Sequence, residues 1–249
     1  CDDGFSGSGD VTCQPEGTFS ELSCEELVDW TFQLGKDFEG DFSHISNFAT
    51  GNDFCRAIAI DSSNNVYCAG RTLGNLTESN DGSWDAFIMK LNEDGDLLWL
   101  NQFGNPTTND HEHCRGISID EDNQSVYCAG ATMSDLYEDN GGTYDAFVLK
   151  LNSETGERIW ATQLGKDHED QALINSTSAS DNCHDVVVDL NKDVVCVGYT
   201  NSDLAEMKGG ESDVFVAKFK RETGELLWIT QMGNLTKPDS SNGGGDTTG

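Results

Sequence analysis

Trp30-Thr31-Phe32-Gln33-Leu34-Gly35 reappears as Trp99 to Gly104, Trp160 to Gly165 and Trp228 to Gly233, four copies of W-x-x-Q-x-G. These copies hold four of the chain's five tryptophans. Between them the internal order also repeats. Cys68-Ala69-Gly70 and Cys128-Ala129-Gly130 match Cys196-Val197-Gly198, and Asp85 to Lys90 matches Asp145 to Lys150 and Asp213 to Lys218. An ordered set that recurs three times marks a repeat architecture, and the period of 60–70 residues is that of one small sheet per repeat.

Each unit reads as four strands. The first covers Arg56 to Asp61, with counterparts at 115–120 and 184–189, rich in Ile and Val. A polar turn such as Ser62-Ser63-Asn64-Asn65 leads to the second, Val66 to Thr72. A longer acidic loop with glycines, for example Glu138-Asp139-Asn140-Gly141-Gly142, precedes the third, Asp145 to Leu151. A turn closed by Gly95, Gly156 or Gly224, where a positive φ is needed, leads to the fourth, Leu97 to Phe103 and its equivalents. Apolar runs such as Ala57-Ile58-Ala59-Ile60 and Val186-Val187-Val188 predict burial on both sheet faces. The fold class is therefore all-β, with β-propeller blades of four antiparallel strands, preferred over a sandwich of unrelated strands.

Composition sets the bounds on function. The 249 residues carry 45 Asp plus Glu against 14 Lys plus Arg, a formal net charge of −31. Such a field repels polyanions and excludes a simple nucleic-acid backbone binder. Only 36% of residues are hydrophobic, yet 12 Phe, 5 Trp and 5 Tyr supply a core that a disordered acidic tail lacks. No apolar run approaches the roughly 20 residues of a membrane-spanning helix, and Cys1-Asp2-Asp3-Gly4 does not read as a signal peptide. Nine cysteines predict an oxidising compartment, and the spacing holds no C-x-x-C. Four sequons, at Asn75, Asn123, Asn175 and Asn234, fit an extracellular or cell-surface glycoprotein.

The string D-A-F-x-x-K-L-N-x-x-G-x-L-x-W, with I-D-x-x-x-x-V-Y-C-A-G, resembles the secreted SBBP-type β-propeller repeat over about residues 30–233. The resemblance implies a propeller and no single activity. Cys1 to Cys13 is similar to the last disulfide loop of an EGF-like module. The expected organisation is an EGF-like remnant and connector over 1–24 and propeller repeats over 25–233. Within the repeats, a lone fourth strand (30–35) precedes blades at about 54–104, 114–165 and 183–233. Residues 234–249 read as a polar, Gly-rich tail or linker to further blades. Three blades fall short of the four to eight of closed propellers, so the chain reads as a piece of something longer or as part of an assembly.

The cysteines follow the blades, and two pairings fit the count. One bridges within each repeat (Cys55–Cys68, Cys114–Cys128, Cys183–Cys196), with Cys1–Cys13 as the EGF-like bridge and Cys24 left over. The other links Cys24–Cys55, Cys68–Cys114 and Cys128–Cys183, leaving Cys196 for a following blade. In an ideal tight hairpin Cys68 faces residue 59 or 61, roughly 13 Å from Cys55, so the first pairing requires a bulge or a bent entry segment.

Catalytic motifs are scarce. His111-Glu112-His113 could place two imidazoles on one strand face but has no third ligand in sequence, and a surface loop is the preferred reading. The acidic turns at 93–96, 120–122 and 167–170 could hold calcium, though none follows the EF-hand pattern and solvated loop charge is the preferred reading. No cofactor is expected. Thr155-Gly156 to Trp160 and Thr223-Gly224 to Trp228 resemble the tryptophan-docking motif of quinoprotein dehydrogenases, a remote enzymatic alternative; the same tryptophans could simply lock blades together. The leading expectation is a non-catalytic extracellular structural or interaction module. By analogy it would serve a cell-surface assembly or a filament such as a mastigoneme-like hair, with partner chains covering open blade faces. The alternative is a propeller that binds a glycan or protein at one rim, where Trp84 and Tyr144 occupy the same repeat position and could stack on sugar rings.

Overall fold

A computed structural model describes residues 52–77, 83–104, 110–165, 179–205, 207 and 209–233. They form twelve strands in three four-stranded antiparallel sheets, each in simple up-and-down order. The first blade comprises β1 (Asp53–Ile60), β2 (Val66–Thr72), β3 (Asp85–Leu91) and β4 (Leu97–Phe103). The second comprises β5 (Glu112–Asp120), β6 (Ser125–Thr132), β7 (Asp145–Asn152) and β8 (Arg158–Leu164). The third comprises β9 (Asp181–Val188), β10 (Val194–Thr200), β11 (Asp213–Phe219) and β12 (Leu226–Met232). The expected EGF-like loop with Cys1, Cys13 and Cys24, and the strand at 30–35, lie outside the described residues.

Alternation on the third strands explains how blades stack. On β7, Ala146 and Val148 point to one face and join a core with Cys183, Val186, Phe215 and Ala217 of the third blade. Phe147, Leu149 and Leu151 point to the other face and join Tyr67, Ala69, Ala86 and Ile88 of the first. A period of two with both phases apolar yields a sheet buried on both sides.

The first strand of each blade begins three residues earlier than its sequence pattern predicts, at Asp53, Glu112 and Asp181. A register shift between Cys55 and Ala57 is the cause: Cys55 pairs with Gly70, while Cys68 pairs with Ile58. Equivalent shifts sit between Cys114 and Gly116, and opposite Val197/Gly198 in the third blade. The bulge places an extra residue on the first strand and draws the two cysteines of each repeat together. Their Cα atoms are 5.8, 5.9 and 6.0 Å apart, and the bridges are Cys55–Cys68, Cys114–Cys128 and Cys183–Cys196. The separation of an unbulged hairpin does not apply, and the pairing is within repeats.

Glycine in Cys-x-Gly makes this approach feasible. A Cβ on Gly70, Gly130 or Gly198 would stand 1.8 Å from the carbonyl oxygen of Phe54, His113 or Asn182. Only a residue without a side chain lets the first strand run this close while the cysteine two residues earlier reaches across.

Candidate functional site

The tryptophan and the glutamine of W-x-x-Q-x-G each have a mechanical task. Trp99 on β4 donates its indole N–H to the Ser153 carbonyl in the β7–β8 turn of the second blade, at 3.0 Å. Lys90 Nζ donates to the same oxygen at 3.1 Å, and Asn101 Nδ2 reaches Gly156 O at 2.6 Å. One blade on, Trp160 Nε1 donates to Arg221 O (2.8 Å), Lys150 Nζ to the same oxygen (3.1 Å) and Thr162 Oγ1 to Gly224 O (2.7 Å). Gly156 and Gly224 have φ of +74° and +73°, and a Cβ on either would strike the Trp99 or Trp160 ring. The tryptophan of one blade is therefore a plug seated on the glycine turn of the next, and it needs no cofactor to be there.

The glutamine fastens its own blade. Gln102 Nε2 donates to Asp85 Oδ2 and its Oε1 accepts the amides of Leu76 and Thr77; Gln163 and Gln231 bind Asp145 and Asp213 in the same way. A second buried acid belongs to each first strand. Thr72 binds Asp53, Thr132 and Ser134 bind Glu112, and Thr200 and Ser202 bind Asp181. Burial, resisted by these hydroxyl hydrogen bonds, pushes Glu112 up to about 7 and Asp181 up to about 6.

This arrangement fixes His111-Glu112-His113. Glu112 is engaged within its blade, His113 is buried, and no group of three or more His, Cys, Asp or Glu is poised for a metal among the described residues. Among the acidic turns, Asp120 and Asp122 are held by Lys192 Nζ at 3.1 and 2.6 Å. In the 93–96 turn, the Asn92 carboxamide oxygen accepts the Asp94 and Asp96 amides. Residues 167–170 lie outside the described residues, as do Asn175 and Asn234. Of the remaining sequons, Asn75 is half-buried, while Asn123 is exposed in a 3-10 turn and donates its carboxamide to Asp120.

Trp84 and Tyr144 stand half-buried just before β3 and β7, at one rim. Neither ring stands free. The Arg71 guanidinium lies 4.1 Å from the Trp84 ring centroid and 5.4 Å from that of Phe54; the His113 ring lies 5.8 Å from Tyr144. Arg56 approaches Phe54 at 5.5 Å, and Arg115 Nη1 meets His184 Nε2 at 3.1 Å. Three of the chain's five arginines thus gather at the start of the inner strands. Desolvation lowers the pKa of Arg71 and Arg115, and the neighbouring arginine charges lower both further. Burial, with the same three charges, pushes His113 down to about 3, so its ring is neutral. Ion pairs among the described residues engage Lys90, Lys192, Lys218 and Arg221, and none engages these three arginines.

Sequence reasoning missed this cluster. Its trace is the residue after each first-strand cysteine, which is Arg56, Arg115 or His184. The bulge at that cysteine turns those side chains to one rim, and a bulge leaves little mark on composition.

The SBBP family, described as Beta-propeller repeat, matches residues 29–77 and 159–205. No curated protein matches the chain. Solved structures with a similar arrangement include the quinohemoprotein alcohol dehydrogenase ADHIIG from Pseudomonas putida HK5, at 10% identity over 70% of this chain and 26% of that one, TM-score 0.44. BamB from Moraxella catarrhalis shares 10% identity over 75% of this chain and 39% of its own, TM-score 0.36. The polysaccharide lyase Uly1 shares 13% over 76% and 42%, TM-score 0.41. This chain spans less than half the length of each, and likenesses this distant carry no functional argument.

Proposed function

We propose, on the premise that this chain is built from SBBP-type β-propeller repeats, that it is a non-catalytic extracellular module that works by joining further blades. The observation that carries the reading is the third blade's outward face. Trp160 is 8% exposed because the next blade receives it, whereas Trp228, its counterpart, is 45% exposed. Val214, the counterpart of the fully buried Ala146, is 47% exposed, and Leu226, Leu227 and Met232 are also exposed. Lys218, whose counterparts cap a neighbouring turn, is instead paired with Asp189 and Asp193 of its own blade. This is the donor half of the blade lock with no acceptor turn among the described residues.

The partner that fits is another blade of the same repeat, offering a glycine turn with a free carbonyl, carried by a second chain. Contiguous apolar surface flanked by polar rims is the usual mark of such an interface. Three disulfides among the described residues suit a non-cytoplasmic protein, and a repeating donor–acceptor lock that does not close generates filaments. Light scattering of the unreduced native protein tests this: masses well above 27 kDa support it, with Trp228→Asp returning the chain to monomer size. A stable wild-type monomer overturns it.

A further inference from the structure

The inner-rim arginines present an electrostatic problem of their own. In a chain of net charge −31, three guanidinium groups sit together with no ion-paired carboxylate among the described residues. Two of their neighbourhood's polar atoms, Arg71 Nε and His113 Nε2, are buried without a hydrogen-bond partner. His113 is only 6% exposed, and an unmet buried polar atom of this kind destabilises the fold unless a partner arrives. Arg71 Nε can only donate. What Arg71 lacks is an acceptor, and forked donors near enough to repel one another suit an oxyanion. Beside them, Phe54 is 42% exposed and Trp84 half-buried, an apolar wall that a bare inorganic ion would not use.

We propose that Arg56, Arg71, Arg115 and His113 form a binding site for a small carboxylate carried by an acidic sugar, with the sugar ring lying against the exposed Phe54. Planar guanidinium pairs suit a carboxylate, and pyranose C–H faces suit aromatic rings. The chain's overall field opposes any anion at long range, so recognition rests on these short-range donors and favours a ligand of single charge. The site is separate from the Trp228 face, and its failure would leave the mass measurement unaffected.

Titration calorimetry with D-glucuronate, D-glucose and inorganic sulfate tests it on the full, unreduced chain. Glucuronate is expected to bind, glucose not measurably, and sulfate about tenfold or more weakly. Arg56 is exposed, so Arg56→Gln leaves folding intact and is expected to weaken glucuronate about tenfold. Phe54→Ala is expected to weaken glucuronate while leaving sulfate unchanged. Absent glucuronate binding, sulfate binding as tightly as glucuronate, or Arg56→Gln binding undiminished overturns the proposal.

Discussion

At the residue scale, most of what repeats in this chain answers to close contact. Gly130 faces the His113 carbonyl where a Cβ would be 1.8 Å away, so Gly130→Ala must push β5 off β6. We expect a loss of about 3 kcal/mol or more in denaturant unfolding, together with a free-thiol signal from Cys114 and Cys128. Glu112 carries a pH signature. Its folded pKa, about 7, lies above the ordinary carboxylate value of 4.5, so the native state holds the proton more tightly. Its contribution is therefore full below about pH 4.5 and declines as pH rises through 7, by on the order of 3 kcal/mol. Glu112→Gln, which keeps an acceptor for the Thr132 and Ser134 hydroxyls, should flatten that part of a stability-versus-pH curve. An unchanged slope would show that Glu112 binds its proton equally well in the folded and unfolded chain.

At the scale of the element, Trp160 and Trp228 offer an internal comparison. Both begin W-x-x-Q-x-G on a fourth strand, and only Trp160 has a turn beneath it. Trp160→Ala should cost about 3–5 kcal/mol, whereas Trp228→Ala in the dissociated chain should cost below about 1 kcal/mol. Equal losses would mean that the described arc is not how the third blade ends. The strands themselves were readable because Asp-x-Phe and Cys-x-Gly keep a period of two with both phases apolar. The starts of the first strands were not, because the residue inserted near each cysteine breaks the alternation on which that reading depends. The disulfide pairing was hidden for the same reason: an unbulged hairpin puts Cys55 far from Cys68, and the bulge brings their Cα atoms to 5.8 Å. Reduction should consequently lower stability by about 2–5 kcal/mol for each bridge lost, measured as the shift in unfolding midpoint with thiol.

On the scale of the whole molecule, the features divide into a lock that builds the arc and a rim that the lock leaves over. The lock was legible as a repeated motif, though its partners were not. The turn at Ser153 and the turn at Arg221 lie 54 and 61 residues downstream of the tryptophans they receive, and nothing local links them. The rim was less legible still, since Arg56 and Arg115 share a repeat position while Arg71 stands at another, and the three converge only because blades fan around a common inner edge. The central claim is that the third blade's donor face is covered by another blade in the native particle. Hydroxyl-radical footprinting of the unreduced particle, read at single tryptophans by mass spectrometry, tests it most directly. The account predicts that Trp228 is protected as fully as Trp160, and that Trp228 becomes labelled when the particle is dissociated. A Trp228 labelled in the native particle as readily as its 45% exposure in the isolated chain dictates would contradict it.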